Sequence, residues 1–528
     1  MKNNKAVIIL LALAQFVMVL DSTVMNVSIS AVVKDLNTSI SAMQMAITFY
    51  TLTMASFMLL GGKLGDVFGR KKAFLIGSVV YATGSFITAI SPNIGTLMFG
   101  WSLVEGLGAI MVIPAIAALV AVNYSGKDRA VAYAIIGAIS GAAAAAGPLI
   151  GGFVTTYLSW RYVFISEVVI MALILIFSKS IKESKPTSKS SIDLRSVILS
   201  FFGFFTLVFG MLQSKSWGWM TPRGAPVING KEITPLGVSL VVYLIVGGIA
   251  LLYMFYRRQV LLTKEGKEPL LDVSMFSIKQ LRAGLGVLSS QYFVIAGVFF
   301  LVPVYLQTVL GYDALKTGVK ILPLSIAVIV FSVLGTKLAL SKSIKKIVRL
   351  GQVLLIIGAL VLVQSVSTSL DSQVFLIGMF VLGSGLGLLA SQLGNINMSS
   401  VPEKKSAEVG GLQGVAQNIG SSFGTALIGS VLVATLTTAF VSNVQASSLP
   451  SNVKTYITQN STAGVQIVTP GQVQAYALSK NVPEDQATQI TDTYISSQID
   501  ALRQAFTIIA VIATLTMLFS RNIPKKVA

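Results

Sequence analysis

The chain is 528 residues long, 54% hydrophobic and only 11% charged, with a mean hydropathy of +0.79; such values lie outside the range of soluble domains. Its formal net charge is +19, but the 39 lysines and arginines sit in short segments between long apolar runs, which points to membrane topology rather than a nucleic-acid surface. The absence of cysteine and histidine excludes disulfides, thiolate metal sites and cysteine nucleophiles, and leaves proton handling near neutral pH to carboxylates.

A bilayer span takes about 20 mostly apolar residues, held as a helix because lipid offers the backbone no hydrogen bonds. Fourteen runs meet that length, near 6–30, 43–62, 73–91, 95–122, 131–155, 161–180, 195–213, 235–257, 281–310, 317–340, 349–367, 372–398, 408–440 and 500–520. The first follows Lys2 and Lys5 and contains Ala12-Leu13-Ala14, as a secretory signal would. Its apolar sequence continues through Phe16 to Leu20 and a second span follows closely, so it reads as an uncleaved first helix. That run carries Leu20-Asp21-Ser22-Thr23-Val24-Met25-Asn26-Val27. The second and third runs meet in a glycine-rich turn, Gly62-Lys63-Leu64-Gly65-Asp66-Val67-Phe68-Gly69-Arg70-Lys71-Lys72, where one acid precedes three cations.

The fourth run reads Trp101-Ser102-Leu103-Val104-Glu105-Gly106 at its middle. The fifth places Gly137, Gly141, Gly147, Pro148, Gly151 and Gly152 among alanines; small residues let helices approach closely, and an internal proline bends a helix. Ser159-Trp160-Arg161 follows, and Glu167 lies in the sixth run. Asp21, Glu105 and Glu167 are the three carboxylates inside apolar runs, all in the first half of the chain. An ionisable group at membrane depth is costly and marks an ion or substrate path.

Between the seventh and eighth runs, residues 214–234 carry Trp217 and Trp219, read as an interfacial anchor. The second half holds neutral polar groups instead, among them Gln291, Gln307, Gln392, Asn395, Asn397, Gln413, Gln417 and Asn418. Gln307, Gln413 and Asn418, together with Tyr50, are candidates to line a cavity. Residues 441–499 are polar and punctuated by Pro450, Pro470 and Pro483, with a turn or short hairpin expected at Asn460–Gly471 and helix at Pro483–Phe506. A folded external cap and a mobile loop both fit. An internal echo pairs Gly61-Gly62-Lys63-Leu64 with Gly335-Thr336-Lys337-Leu338, Gly77 with Gly351, and Glu105-Gly106-Leu107-Gly108 with Ser384-Gly385-Leu386-Gly387. This divides the chain into bundles at 1–180 and 281–528, with 181–280 an inserted helix pair. Lysine and arginine concentrate in the N-terminus, every second connection and the C-terminus, which places both termini in the cytoplasm.

The turn at 62–74 resembles the signature loop between helices 2 and 3 of the major facilitator superfamily of secondary transporters. The Asp21–Asn26 stretch, the Gly-Pro-x-x-Gly-Gly spacing of the fifth run and Pro303 through Pro323 resemble its fourteen-helix drug:proton antiporter branch, and the likeness covers nearly the whole chain. It implies an all-α polytopic membrane protein with two six-helix bundles plus two inserted helices, working by alternating access without bond chemistry, cofactor or metal. The implied activity is export of amphipathic, cationic compounds in exchange for protons, by a monomer in a bacterial plasma membrane. Asp21, Glu105, Glu167 and Asn26 would handle protons or substrate. Gly62, Gly65, Asp66, Gly69 and Arg70 would form a conformational latch, with Asp66 meeting the positive end of the helix that starts near Glu408. Gly137, Gly141, Gly147, Pro148, Gly151 and Gly152 would be the antiporter motif.

One departure from the family pattern bears on mechanism. Where the family has an arginine in helix 4, followed by a glutamine, this chain has Ser102 and Glu105. Glu167 stands where asparagine is common. The lost arginine points to Glu105 as the proton carrier, and the exchange of a cation for acids favours cationic or zwitterionic cargo. The nearest alternative is a lipid or lipid-precursor exporter of the same fold; nutrient symport is disfavoured by the fifth-run motif, and an enzyme by the lack of His, Cys or a paired acid motif on a soluble face.

Overall fold

The computed structural model describes residues 5–183, 192–228, 231–370, 372–402, 405–461 and 464–526. Among them, apolar runs that must satisfy their own backbone become helices: α1 Lys5–Asp35, α2 Ile40–Phe68, α3 Arg70–Ala89, α4 Ile94–Asn123, α5 Gly126–Tyr157, α6 Arg161–Phe177, α7 Leu194–Trp217 and α8 Leu240–Lys264. Then follow α9 Lys279–Val304, α10 Ala314–Leu338, α11 Ile344–Ser365, α12 Ser372–Met398, α13 Ser406–Ala446, α14 Ser451–Asn460, α15 Pro470–Ser479 and α16 Glu484–Thr516. Thirteen of these are long and apolar enough to cross a membrane as single helices. The fourteenth span is α5, whose halves Val131–Ala144 and Ala146–Tyr157 meet at 41°. Pro148 causes that bend, since its ring displaces the carbonyl one turn earlier, at Ala144. Fourteen spans put both ends of the chain on one face, called here the terminal face.

Two large cores form. One gathers α1–α6 with Phe204, Phe255, Leu270, Leu271, Met275, Met398 and the starts of α9 and α13; the other gathers α9–α13 and α16. The sequence echo returns in the packing with an offset of two residues in α12, where Gly385 rather than Gly387 takes the place of Gly108. Gly77 of α3 lies against Gly108 O of α4, where an added Cβ would come within 3.0 Å, and Gly351 of α11 lies against Gly385 O of α12, at 3.1 Å. The inserted α7 wedges against both bundles: Val208 and Leu212 bury Leu52 and Ala55 of α2, and Phe201 packs on Phe57 at 4.7 Å.

The α7–α8 pair is tied at the terminal face by Asp193, which caps α7 by accepting from Ser196 N at 2.9 Å. Arg258 of α8 donates to both Asp193 oxygens at 2.8 and 3.2 Å. Those charge-assisted hydrogen bonds, with the Ser196 hydroxyl and amide, hold the Asp193 carboxyl well below the usual carboxylate range. A depressed folded value adds stability above the unfolded value of about 3.9, and that stability is lost as pH falls through the folded value. Arg258→Ala should therefore lower the unfolding temperature at pH 7. The difference from wild type should shrink in acid below about pH 4.

Two connections differ from expectation. The turn at 62–74 is almost entirely helical: α2 runs through Gly62, Gly65 and Asp66 to Phe68, and α3 restarts at Arg70. Only Gly69 breaks the helix, at φ +97°, which a side chain rarely adopts. The described residues of 441–499 are mostly helical. α13 continues to Ala446, α14 and α15 follow, and Tyr494 of α16 pins the return by donating to Gln466 O at 2.9 Å and accepting from Val468 N at 2.9 Å. Residues 464–469 are irregular, and no hairpin occurs there among the described residues. A two-residue antiparallel ladder does occur in the 214–234 loop, pairing Val227 with Glu232 and Ile228 with Lys231. Trp219 of that loop packs edge-on against Phe423 of α13 at 6.2 Å.

Candidate functional site

Helix α1 brings Asp21, α4 brings Glu105 and α6 brings Glu167 to one point inside the first bundle. The three carboxyl groups have oxygens within 4.8 Å of one another, and the residues are 1%, 0% and 0% exposed. Neutral donors from two helices hold them. Trp101 Nε1 donates to Asp21 Oδ1 at 2.9 Å and Oδ2 at 3.1 Å. The Ser85 hydroxyl reaches Glu105 Oε2 at 2.8 Å and Glu167 Oε2 at 3.1 Å, and the Tyr81 hydroxyl reaches Glu167 Oε2 at 3.3 Å. The second oxygens of Glu105 and Glu167 have no hydrogen-bond partner among the described residues. No lysine or arginine contacts the cluster among the described residues.

The local sequence explains the convergence. Tyr81 and Ser85 are one turn apart on the buried face of α3, and Gly84 between them lets α3 lie on α4, where an added Cβ would meet Glu105 N at 2.4 Å. Residues 98–105 wind as a π-helix, which puts Trp101 and Glu105 on the same side of α4. Tyr50 of α2 stacks flat on Trp101, with ring centres 4.8 Å apart and planes 6° apart. Trp101→Phe keeps that stack but deletes the N–H shared by both Asp21 oxygens. It should lower stability by about 1–3 kcal/mol, the cost of leaving a buried acceptor unmade, read as a drop in the thermal midpoint of the purified protein.

Three carboxyl groups this close and this buried, facing no cation, cannot all be ionised, because like charges and desolvation both oppose it. Such an arrangement is chemically able to hold protons, and the same oxygen spacing would also fit around one cation. Trp101, Tyr81 and Ser85 were missed in the sequence. The available signal was polar residues at helical spacing in otherwise apolar helices, with Trp101 one turn before Glu105.

The other sequence candidates fall elsewhere. Asn26 is on α1, and its side chain lies outside the described residues. Gly147 and Gly151 face α1, where Cβ atoms would come within 1.8 Å of Thr23 Oγ1 and 3.0 Å of Val24 Cγ1. Gly137 and Gly141 face the second bundle, against Ala390 O at 2.2 Å and Val328 Cγ1 at 2.6 Å, and the Pro148 carbonyl abuts Gly318. Gly152 is buried. The small-residue pattern of α5 thus joins the helix of Asp21 to the opposite bundle.

Between the bundles lies a cavity of about 20 Å³, bordered by Gly141, Gln291, Phe299 and Leu386, little more than one water molecule. Tyr50 is not on it but inside the first bundle. Gln307 and Gln413 are half-buried, and Asn418 donates to Gly414 O of its own helix at 2.9 Å. At the terminal face Asp66 pairs with Arg70 at 3.9 Å and hydrogen-bonds nothing on α13 among the described residues. The direct approach to α13 is made by Gly62, where an added Cβ would lie 2.9 Å from Ala407 O. Gly65 has open space beside it.

A polytopic helical bundle pair with an internal repeat and buried intramembrane acids defines a secondary-transporter architecture. Residues 11–425 match the sequence model of the Major Facilitator Superfamily, and the chain belongs to that family of transporters. It is similar to the tetracenomycin C resistance and export protein of Streptomyces glaucescens, 27% identical over 97% of this chain and 91% of that one. It is also similar to the quinolone resistance protein NorB of Staphylococcus aureus, 28% identical over 81% and 88%, and to the puromycin resistance protein pur8 of Streptomyces alboniger, 27% over 80% and 81%. Its fold matches that of the proton:xylose symporter XylE, with a TM-score of 0.58 at 12% identity over 100% of this chain and 98% of that one. The human organic anion transporter MFSD10 also matches, with a TM-score of 0.55 at 12% identity over 98% and 99%.

Proposed function

We infer that the protein exports amphipathic, cationic drug-like compounds in exchange for protons, as a monomer spanning a bacterial plasma membrane with the terminal face in the cytoplasm. The observation that carries this reading is the cluster of Asp21, Glu105 and Glu167, three buried carboxyl groups within 4.8 Å and without a lysine or arginine partner among the described residues. The names of the similar resistance and export proteins support the export of drugs, and the lysine- and arginine-rich connections support the orientation.

Protons arriving from the outer side neutralise Asp21 and Glu105, cargo leaves outward, and release of those protons to the cytoplasm readies the protein for the next molecule. Neutralising Asp21 weakens a charge-assisted pair of hydrogen bonds from Trp101, and with it the tie between α1 and α4. Two packed routes run from there to the bundle interface. One passes through Thr23 to Gly147 on α5 and on to Val328 and Ala390; the other passes through Tyr50 on α2, whose far end meets α13 at Gly62 and Ala407. The cluster sits inside one bundle, so it holds the protons and the interface holds the cargo, one filling as the other empties.

The test is proton release. Adding ethidium to weakly buffered, purified protein should release protons, detected with a pH-sensitive dye, and Asp21→Asn/Glu105→Gln should release none. Ethidium binding of equal strength with no proton released by wild type rejects the coupling.

A further inference from the structure

Both linkers of the inserted helix pair reach the α2–α3 turn. On one side, Glu183 accepts from Lys71 N and Lys72 N at 3.0 and 3.2 Å, capping the start of α3. On the other, the α8–α9 linker crosses the terminal face from one bundle to the other. Its Glu268 carboxylate takes the ammonium of Lys63, a buried residue of α2, at 3.2 Å. Four residues later Asp272 pairs through its carboxylate with Lys405, and its backbone N–H donates to Glu408 Oε2 at 2.8 Å, both partners flanking or opening α13. The linker is pinned between these contacts. Leu270 and Leu271 are each 3% exposed, and their N–H groups donate to the wholly buried Gln259 Oε1 at 2.8 and 3.3 Å. Met275, 1% exposed, sits in the same core as Leu412 and Val415 of α13.

We propose that the α8–α9 linker is a strap across the terminal-face gate, with Glu268 and Asp272 as positioning residues of the transport cycle. Glu268 holds the first bundle through Lys63, and Asp272 holds the second through Lys405 and Glu408. Leu270, Leu271 and Met275 lie in the core that holds the first bundle and the start of α13. The strap is nonetheless tied to α13 at Asp272 and runs into α9, most of which packs in the second core, so its Asp272 end travels with the second bundle. Opening the terminal face then leaves the Asp272 contacts in place and parts Lys63 from Glu268. The side chain of Glu268 is 47% exposed and that of Lys63 7%, so the pair parts at low cost only as the opening face admits water to Lys63, as a gate contact requires. The Asp272 group is more buried and has a second hydrogen bond, as a permanent anchor should. The chain departs here from a gate made only of the two bundles: its inserted helices bring their own crossbar.

The proposal rests on alternating access but not on the identity of the cargo. The chain lacks cysteine, so Lys63→Cys/Glu268→Cys carries one addressable pair. Bridging it with a short bis-thiosulfonate in proteoliposomes should stop pH-driven ethidium efflux, and a reductant should restore it; efflux that continues with the bridge in place overturns the proposal. Hydrogen–deuterium exchange of the full-length protein provides a readout that needs no cargo. Glu268→Gln and Lys63→Glu should each raise exchange at 57–68 and 406–412, and the swap Lys63→Glu/Glu268→Lys should return it towards wild type. Unchanged exchange in the single variants, or a swap no better than either, overturns the pairing even if ethidium proves not to be a cargo.

Discussion

Glu105→Gln should abolish pH-driven efflux while leaving the fold intact. The amide has the size of the acid it replaces, and its oxygen can still accept from the Ser85 hydroxyl, which lies 2.8 Å from Glu105 Oε2. The change also removes one of three crowded carboxyl groups whose like charges oppose each other, so the thermal midpoint should hold or rise. A neutral amide cannot carry a proton through the cycle, and the protein has no histidine to take over. Downhill, gradient-independent equilibration of a lipophilic cation should persist. Efflux that remains fully pH-driven in Glu105→Gln would move the proton to another group.

Gly137→Leu should have the next largest effect, through the interface rather than the cluster. A Cβ there would lie 2.2 Å from the backbone carbonyl of Ala390 on α12, and backbone cannot turn aside as a flexible side chain can. Overpacking of this kind costs about 1–3 kcal/mol. Here the clash is between bundles, so the strain is relieved by holding them apart while each keeps its own core. The expected result is monodisperse protein of near-normal helix content with little transport. Ala at the same position should fall between. Near-normal transport in Gly137→Leu would mean that α5 and α12 separate throughout the cycle.

Much of this was legible in the sequence for simple physical reasons. Long apolar runs have one solution in a bilayer, and an acid within such a run needs a reason to be there. Asp21, Glu105 and Glu167 could be singled out by that rule, and the small residues of α5 by what they permit. Their meeting within 4.8 Å could not, because it depends on helix rotation and depth, and on a π-helical stretch at 98–105 that no residue announces. Tyr50 looked like a cavity aromatic, but its partner is Trp101, whose role follows only from α2 and α4 lying side by side. The turn at 62–74 looked like a loop because Gly62 and Gly65 weaken a helix in isolation. Packed against α13, Gly62 instead permits the contact with Ala407, and α2 continues to Phe68. Glu268 and Asp272 read in the sequence only as acids in a charged linker, with no sign of the cations they meet.

The most direct test of proton-coupled export is efflux of ethidium from proteoliposomes containing wild-type protein, with and without an imposed pH gradient. The account predicts movement against the ethidium gradient only when protons can flow the opposite way, with collapse on adding a protonophore. Ethidium movement indifferent to the pH gradient in both directions would contradict it.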